Sequence, residues 1–161
     1  EASIIPELSF GGLGTLLGVN PMVTLTNTGL PQWENAKIEE IAARTGIDPF
    51  FLAALRRAEN GGPGREFGVL SVSAPTYSEQ VQVAANTIRN TMRRYEQNIQ
   101  RMATDVNGRL TLDFIRYFSQ GGPGYPGYAP LGALNDPTAL NFNHYGNLIT
   151  FYSTMTGSAL S

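Results

Sequence analysis

The chain contains no cysteine and only one histidine, His144. Without cysteine there is no disulfide, no thiolate zinc site and no cysteine nucleophile. A single histidine excludes any multi-histidine metal site. A Ser-His-Asp triad would have to run through His144, and no serine sits in a nucleophile-elbow sequence. Lying amid Asn and Tyr, His144 reads as a hydrogen-bonded structural residue. Lysine is almost missing as well, Lys37 being the sole example, and the formal net charge is -2. Such a balance exerts no general pull on nucleic acid or anionic membranes. No apolar run reaches the length of a membrane span. The segment 10–19 is apolar but short and glycine-rich, and no basic residue precedes it, so it makes a poor signal peptide. The chain opens on Glu1 rather than methionine, as expected of a processed or excised piece of something longer.

What is present suffices for one compact domain with a real core: 161 residues, 42% of them apolar. Residues 1–32 read as an extended, irregular arm, carrying Pro6, Pro21, Pro31 and five glycines from Gly11 to Gly29. The arm is expected to pack on the domain or tether it, with a short helix near 13–17 and a short strand at 23–26. Residues 33–161 form the expected main domain.

Helical signals dominate that domain. Ile38, Ile41 and Ala42 share one face of a segment over 34–45 that ends at Gly46. A second helix is predicted over 49–59. The run 68–72 is β-like. Thr76 and Glu79 have the spacing of a capping box opening the longest helix, where Val81, Ala84, Ala85, Ile88, Met92, Tyr95, Ile99 and Met102 recur every three or four residues. Arg89, Arg93, Arg94 and Arg101 lie off that stripe and read as a solvated face. A fourth helix is predicted from 111 or 112 to 120 and a last one over about 141–155. Gly-Gly-Pro-Gly occurs twice, at 61–64 and 121–124, suggesting two glycine-rich loops bordering one cleft. Five of the seven tyrosines lie between 117 and 152, and those in loops suit the stacking of sugar rings.

The second helix holds the residue of most chemical interest. Asp48 is a ready N-cap and Pro49 suits the first helical position, while Gly61, Gly62 and Pro63 stop the helix. Phe51, Ala54, Leu55 and Ala58 form its buried stripe, and Glu59 falls on the shoulder of that stripe, where the helix runs out. A carboxyl group there is partly desolvated and meets the negative end of the helix dipole, both of which favour the protonated form that a general acid needs. The plainer role for Glu59 is a surface ion pair with Arg56 at spacing i, i+3.

Along this helix the chain carries Ile47-Asp48-Pro49, then Leu52, Ala54 and Arg57, then Glu59-Asn60-Gly61. This pattern resembles the catalytic-helix signature of lysozyme-like lytic transglycosylases, in which a helix begins at Asp-Pro and ends in the catalytic Glu. The family usually has Ser after that Glu; here Asn60 takes the place. The stretch 64–71 resembles a degenerate form of the family's Gly-x-x-Gly-Leu-Met-Gln loop, with Ser71 where Gln is usual. Residues 115–121 match the family's Ala-Tyr-Asn-Ala-Gly motif loosely. The tail 128–141 is similar to the ends of bacteriophage-encoded, virion-associated members. In all, the resemblance spans about residues 36–150.

It implies a mostly α, lysozyme-like fold of the goose-type/lytic transglycosylase kind, with at most a small β element. It also implies cleavage of the MurNAc-β-1,4-GlcNAc bond of peptidoglycan by one catalytic residue, Glu59, giving 1,6-anhydro-MurNAc ends. No cofactor and no metal enter that reaction. Substrate contacts are expected from Asn60, Glu66, Phe67, Ser71, Tyr117, Tyr125, Tyr128 and Asn135, since sugars need amides and backbone donors for their polar groups and aromatics for their ring faces. Each of these aromatics has the core as its other possible place. Two alternatives stay open. One is a hydrolase using Glu66 or Asp136 as second carboxylate, although Asp136 also suits a helix cap or turn. The other is a weakly active structural or wall-binding module, motivated by Asn60 and Ser71. The expected partners are peptidoglycan strands and, through residues 1–32, other virion proteins, with no nucleic acid and no membrane span. The expected setting is a virion-associated protein acting in the bacterial periplasm or cell wall.

Overall fold

The computed structural model describes residues 23–70, 73–133 and 140–161. Among them the fold is mostly helical, with five α-helices and no strand. The helices are α1 (Gln32–Thr45), α2 (Pro49–Glu59), α3 (Tyr77–Ile99), α4 (Leu112–Gln120) and α5 (His144–Thr156), the last preceded by a 3-10 turn at Leu140–Asn143. Extended pairing among the described residues is limited to isolated bridges, Thr104 with Leu110 and Gly122 with Tyr125. No described helix is long and apolar enough to cross a membrane.

The capping chemistry expected of the sequence is present. Asp48 caps α2 by accepting from the Phe50 amide at 2.9 Å. Thr76 and Glu79 close a reciprocal capping box on α3. Beyond the expected caps, Thr111 also caps α4. Three boundaries differ from expectation. The first helix begins at Gln32, two residues before the expected start at 34. The longest helix stops at Ile99, where Gln100 takes a left-handed conformation at φ 61°, so Met102 falls outside the buried stripe and is exposed. The last helix begins at His144 because a 3-10 turn occupies the preceding residues. Residues 23–26 and 68–70 lie outside any ladder. The expected short helix at 13–17 lies outside the described residues.

Residues 23–31 pack against the helices. Leu25 is buried, its amide donates to Glu39 on α1 at 2.7 Å, and Arg57 on α2 donates to the Thr28 carbonyl at 2.6 Å.

The central element is α2. Phe51, Leu52, Ala53, Ala54 and Leu55 are all fully buried, so the apolar stripe widens to cover nearly the whole helix. Its most extensive packing is against α5. Phe51 makes edge contacts with Phe118 and with Tyr152, each at 5.4 Å between ring centres. Burying a side chain of that size contributes about 2–3 kcal/mol.

The N-terminal end of α2 is also pinned by polar contacts. Oδ2 of Asp48 accepts from Arg109 at 2.8 Å and from the Tyr152 hydroxyl at 2.6 Å, and that hydroxyl in turn accepts from the Leu110 amide at 3.0 Å. One carboxylate thus ties α2, α5 and the 105–110 turn together. With one end of α2 held and its sides packed, the position of its last residue is set.

Candidate functional site

That last residue is Glu59. The helix ends there because Asn60 adopts a left-handed conformation at φ 48° and returns its amide to the Arg56 carbonyl. The stop expected of Gly61 and Gly62 is therefore made one residue earlier, by an asparagine, which tolerates this region better than most side chains. Asn60 is exposed beside Glu59.

Glu59 does not pair with Arg56. Arg56 is engaged by α1 and by the loop after α2: its Nε donates to Glu34 at 2.7 Å and its Nη1 to the carbonyls of Gly61 and Glu66. Both members of the Arg56–Glu34 pair are largely buried, with side-chain exposures of 13% and 7%. The guanidinium therefore anchors the loop that follows α2.

Glu59 instead meets His144, the first residue of α5: Nε2 and Oε2 stand 2.8 Å apart. The other ring nitrogen, Nδ1, lies 2.8 Å from Oγ of Ser119 on α4. Ser119 is fully buried and His144 nearly so, whereas the Glu59 side chain keeps 20% exposure. Three helices thus meet in a chain of polar groups that reaches solvent at the carboxyl. This is not the arrangement of a serine hydrolase: there the carboxylate binds Nδ1 and the serine Nε2, whereas here the two are exchanged, and the burial of Ser119 denies it any substrate.

The loop after α2 closes over the other carboxyl oxygen. A Cβ placed on Gly68 would collide with Oε1 of Glu59, and Gly68 has φ +70°. Only glycine meets both conditions. The loop is held by Gln80 of α3, fully buried, whose Oε1 accepts from the amides of Phe67 and Val69 and whose Nε2 reaches the carbonyls of Gly64, Val69 and Ala74.

Tyr128 completes the enclosure. After α4 the chain turns back so that the Tyr128 and Ala129 amides donate to the carbonyls of Phe118 and Ser119. The Tyr128 ring stacks on Phe118 at 4.9 Å and lies nearly parallel to His144 at 6.1 Å, and its hydroxyl donates to the Phe67 carbonyl at 2.6 Å. Burial pushes this hydroxyl well above its ordinary range, and the nearby Glu59 charge adds to the shift.

The remaining sequence candidates are dispersed. Phe67 is fully buried, so its ring belongs to the core while its backbone serves the site. Glu66 is 9% exposed and its Oε1 is sealed from solvent without a hydrogen-bond partner. Tyr117 is buried, donates to the Pro123 carbonyl at 2.5 Å and packs on Tyr95 and Tyr125. Tyr125 lies under Arg94 of α3, and burial raises its hydroxyl to about 12. The second Gly-Gly-Pro-Gly loop accordingly folds onto α3, where Asn98 donates to the Pro123 carbonyl. Ser71, Asn135 and Asp136 lie outside the described residues. A cavity of about 510 Å³ lies at the opposite end of α2, lined by Asp48, Arg109, Val23 and Met92 among others, and is separate from Glu59.

His144 and Ser119 are the site residues that sequence reasoning missed. The one available signal is the presence of a single histidine in a chain with a single outstanding carboxylate. Neither spacing nor periodicity links residues 59, 119 and 144.

No family model matches the chain, and comparison with curated proteins and with solved structures yields no match.

Proposed function

We propose that the protein is a peptidoglycan lytic transglycosylase of lysozyme-like fold, with Glu59 as its single acid/base. One observation carries this reading: Glu59 is a partly exposed carboxyl at the end of a buried helix, with Oε2 bound to buried His144 and Oε1 set against the bare backbone of Gly68. A carboxyl held by a buried imidazole and still partly exposed to solvent is what general acid catalysis needs. The resemblance of residues 47–61 to the family's catalytic helix supplies the substrate class.

In the reaction, the Glu59 carboxyl gives its proton to the oxygen that links MurNAc to GlcNAc, and the bond from that oxygen to the MurNAc anomeric carbon breaks. The MurNAc 6-hydroxyl then attacks the anomeric carbon, forming the 1,6-anhydro ring, and its proton returns to Glu59. No water is consumed and the enzyme ends as it began. A second carboxylate is unnecessary, unlike in two-carboxylate hydrolases. The burial of Glu66 also weighs against its activating a water molecule. Among the described residues, exposed Asn60 and the Tyr128 wall are the remaining candidates for substrate contact. The resemblance of the tail to phage proteins supports a virion-borne enzyme acting on the periplasmic wall, tethered through residues 1–32.

Digestion of purified peptidoglycan followed by mass spectrometry of the muropeptides tests the reading. Anhydro ends from the parent protein, and loss of about 10²-fold or more in rate for Glu59→Gln, are expected. Reducing ends would assign hydrolysis instead. Wall binding in a pull-down without released sugar would assign a binding module.

A further inference from the structure

We propose that Ser119 and His144 form a hydrogen-bond relay that dictates which oxygen of Glu59 carries the working proton. The proposal rests on the acid/base reading of Glu59 and assigns His144 and Ser119 as positioning residues for it.

The direction of the relay follows from counting donors. The hydroxyl of Ser119 is fully buried and its hydrogen-bond partner is Nδ1 of His144. If Nδ1 carried a hydrogen, Ser119 would accept it, and its own hydroxyl hydrogen would be left buried without an acceptor. Leaving such a donor unmade costs about 1–3 kcal/mol. In the neutral ring that tautomer also turns the bare lone pair of Nε2 toward Oε2, an unfavourable meeting once Glu59 ionises. The opposite polarity satisfies every group: Ser119 donates to Nδ1, and Nε2–H donates to Oε2 across 2.8 Å. Tyr128, which stacks beside the imidazole, has its hydroxyl engaged with the Phe67 carbonyl and does not compete.

This polarity suits both halves of the cycle. Oε2 accepts from Nε2–H when Glu59 is ionised and equally when it is protonated, so its environment is constant. The transferable proton is thereby assigned to Oε1, the oxygen at Gly68. The relay thus holds the carboxyl in one orientation while the proton leaves and returns.

His144 is the only histidine, so selective ¹⁵N-histidine labelling yields the signal of this one ring. NMR of the full chain at neutral pH is expected to show a neutral imidazole protonated at Nε2, with Nδ1 bare. An Nδ1–H tautomer or a doubly protonated ring overturns the proposal, whatever the activity. Kinetics on purified peptidoglycan supply the second readout. His144→Leu is expected to lower kcat about 10²-fold with KM little changed, and His144→Gln, which keeps an N–H donor, to recover to within about tenfold of the parent. Ser119→Ala is expected to lower kcat about tenfold, and the His144→Leu, Ser119→Ala double variant to be no worse than His144→Leu alone. Unfolding midpoints of each variant separate these losses from loss of folded protein. If Glu59→Gln is inactive while His144→Leu keeps the parental kcat, or if the two substitutions His144→Leu and Ser119→Ala add, the relay is wrong and the function reading stands. If Glu59→Gln stays active, the function reading falls, and the tautomer measurement still decides the relay geometry.

Discussion

Gly68 leaves room for Oε1 of Glu59 because it has no Cβ, and at φ +70° its backbone lies where side chains are disfavoured. Gly68→Ala therefore meets two separate penalties. The left-handed backbone costs about 1–2 kcal/mol of stability, read from chemical unfolding. The added methyl also pushes the carboxyl out of place, and under the proposed function the rate of peptidoglycan cleavage is expected to fall by about 10²-fold, beyond what the stability loss explains. Arg56 shows the same dependence on surroundings. Three residues from Glu59 on one helix, it is the ion-pair partner that spacing suggests, yet it binds Glu34 and the loop carbonyls instead. A helical projection brings i and i+3 close but cannot weigh partners that arrive from elsewhere in the chain.

At the scale of elements, helix ends are legible wherever their chemistry is local. Asp48, Thr76 with Glu79, and Gly46 act within a few residues of themselves, so the starts of α2 and α3 and the end of α1 follow from short-range rules. Met102 departs from its predicted stripe because the apolar period continues past the point where Gln100 turns left-handed. The loop after α2 is the least legible part. Its shape comes from Gln80, a residue of another helix whose single amide satisfies five backbone contacts. Gln80→Ala is expected to strand those buried groups and destabilise the protein by about 3 kcal/mol. Urea unfolding measures the loss, and limited proteolysis is expected to cut between residues 61 and 75 in that variant before any other site.

For the whole molecule, buried tyrosines tie the packing to alkaline stability. Burial raises the hydroxyls of Tyr77, Tyr128 and Tyr152, and raises that of Tyr125 to about 12. In the unfolded chain each ionises near pH 10, roughly the value of a free tyrosine. Above that pH the unfolded state binds fewer protons than the folded one, so stability falls as pH rises. The contribution is thus fully present below about pH 10 and is lost between about 10 and 12 as Tyr125 titrates, with the other three extending the loss upward. Denaturation curves at about pH 9 and about pH 11.5 check this, and Tyr125→Phe is expected to flatten the difference between them. Short-range sequence suffices for the helical class, the caps, the apolar character of α2 and the placing of Glu59 at its end, because each depends on neighbours three or four residues away. What Glu59 touches is a matter of packing. His144 and Ser119 lie 85 and 60 positions further along the chain, and only the docking of α5 on α2 and of α4 on α5 brings the imidazole within hydrogen-bond reach of both Glu59 and Ser119.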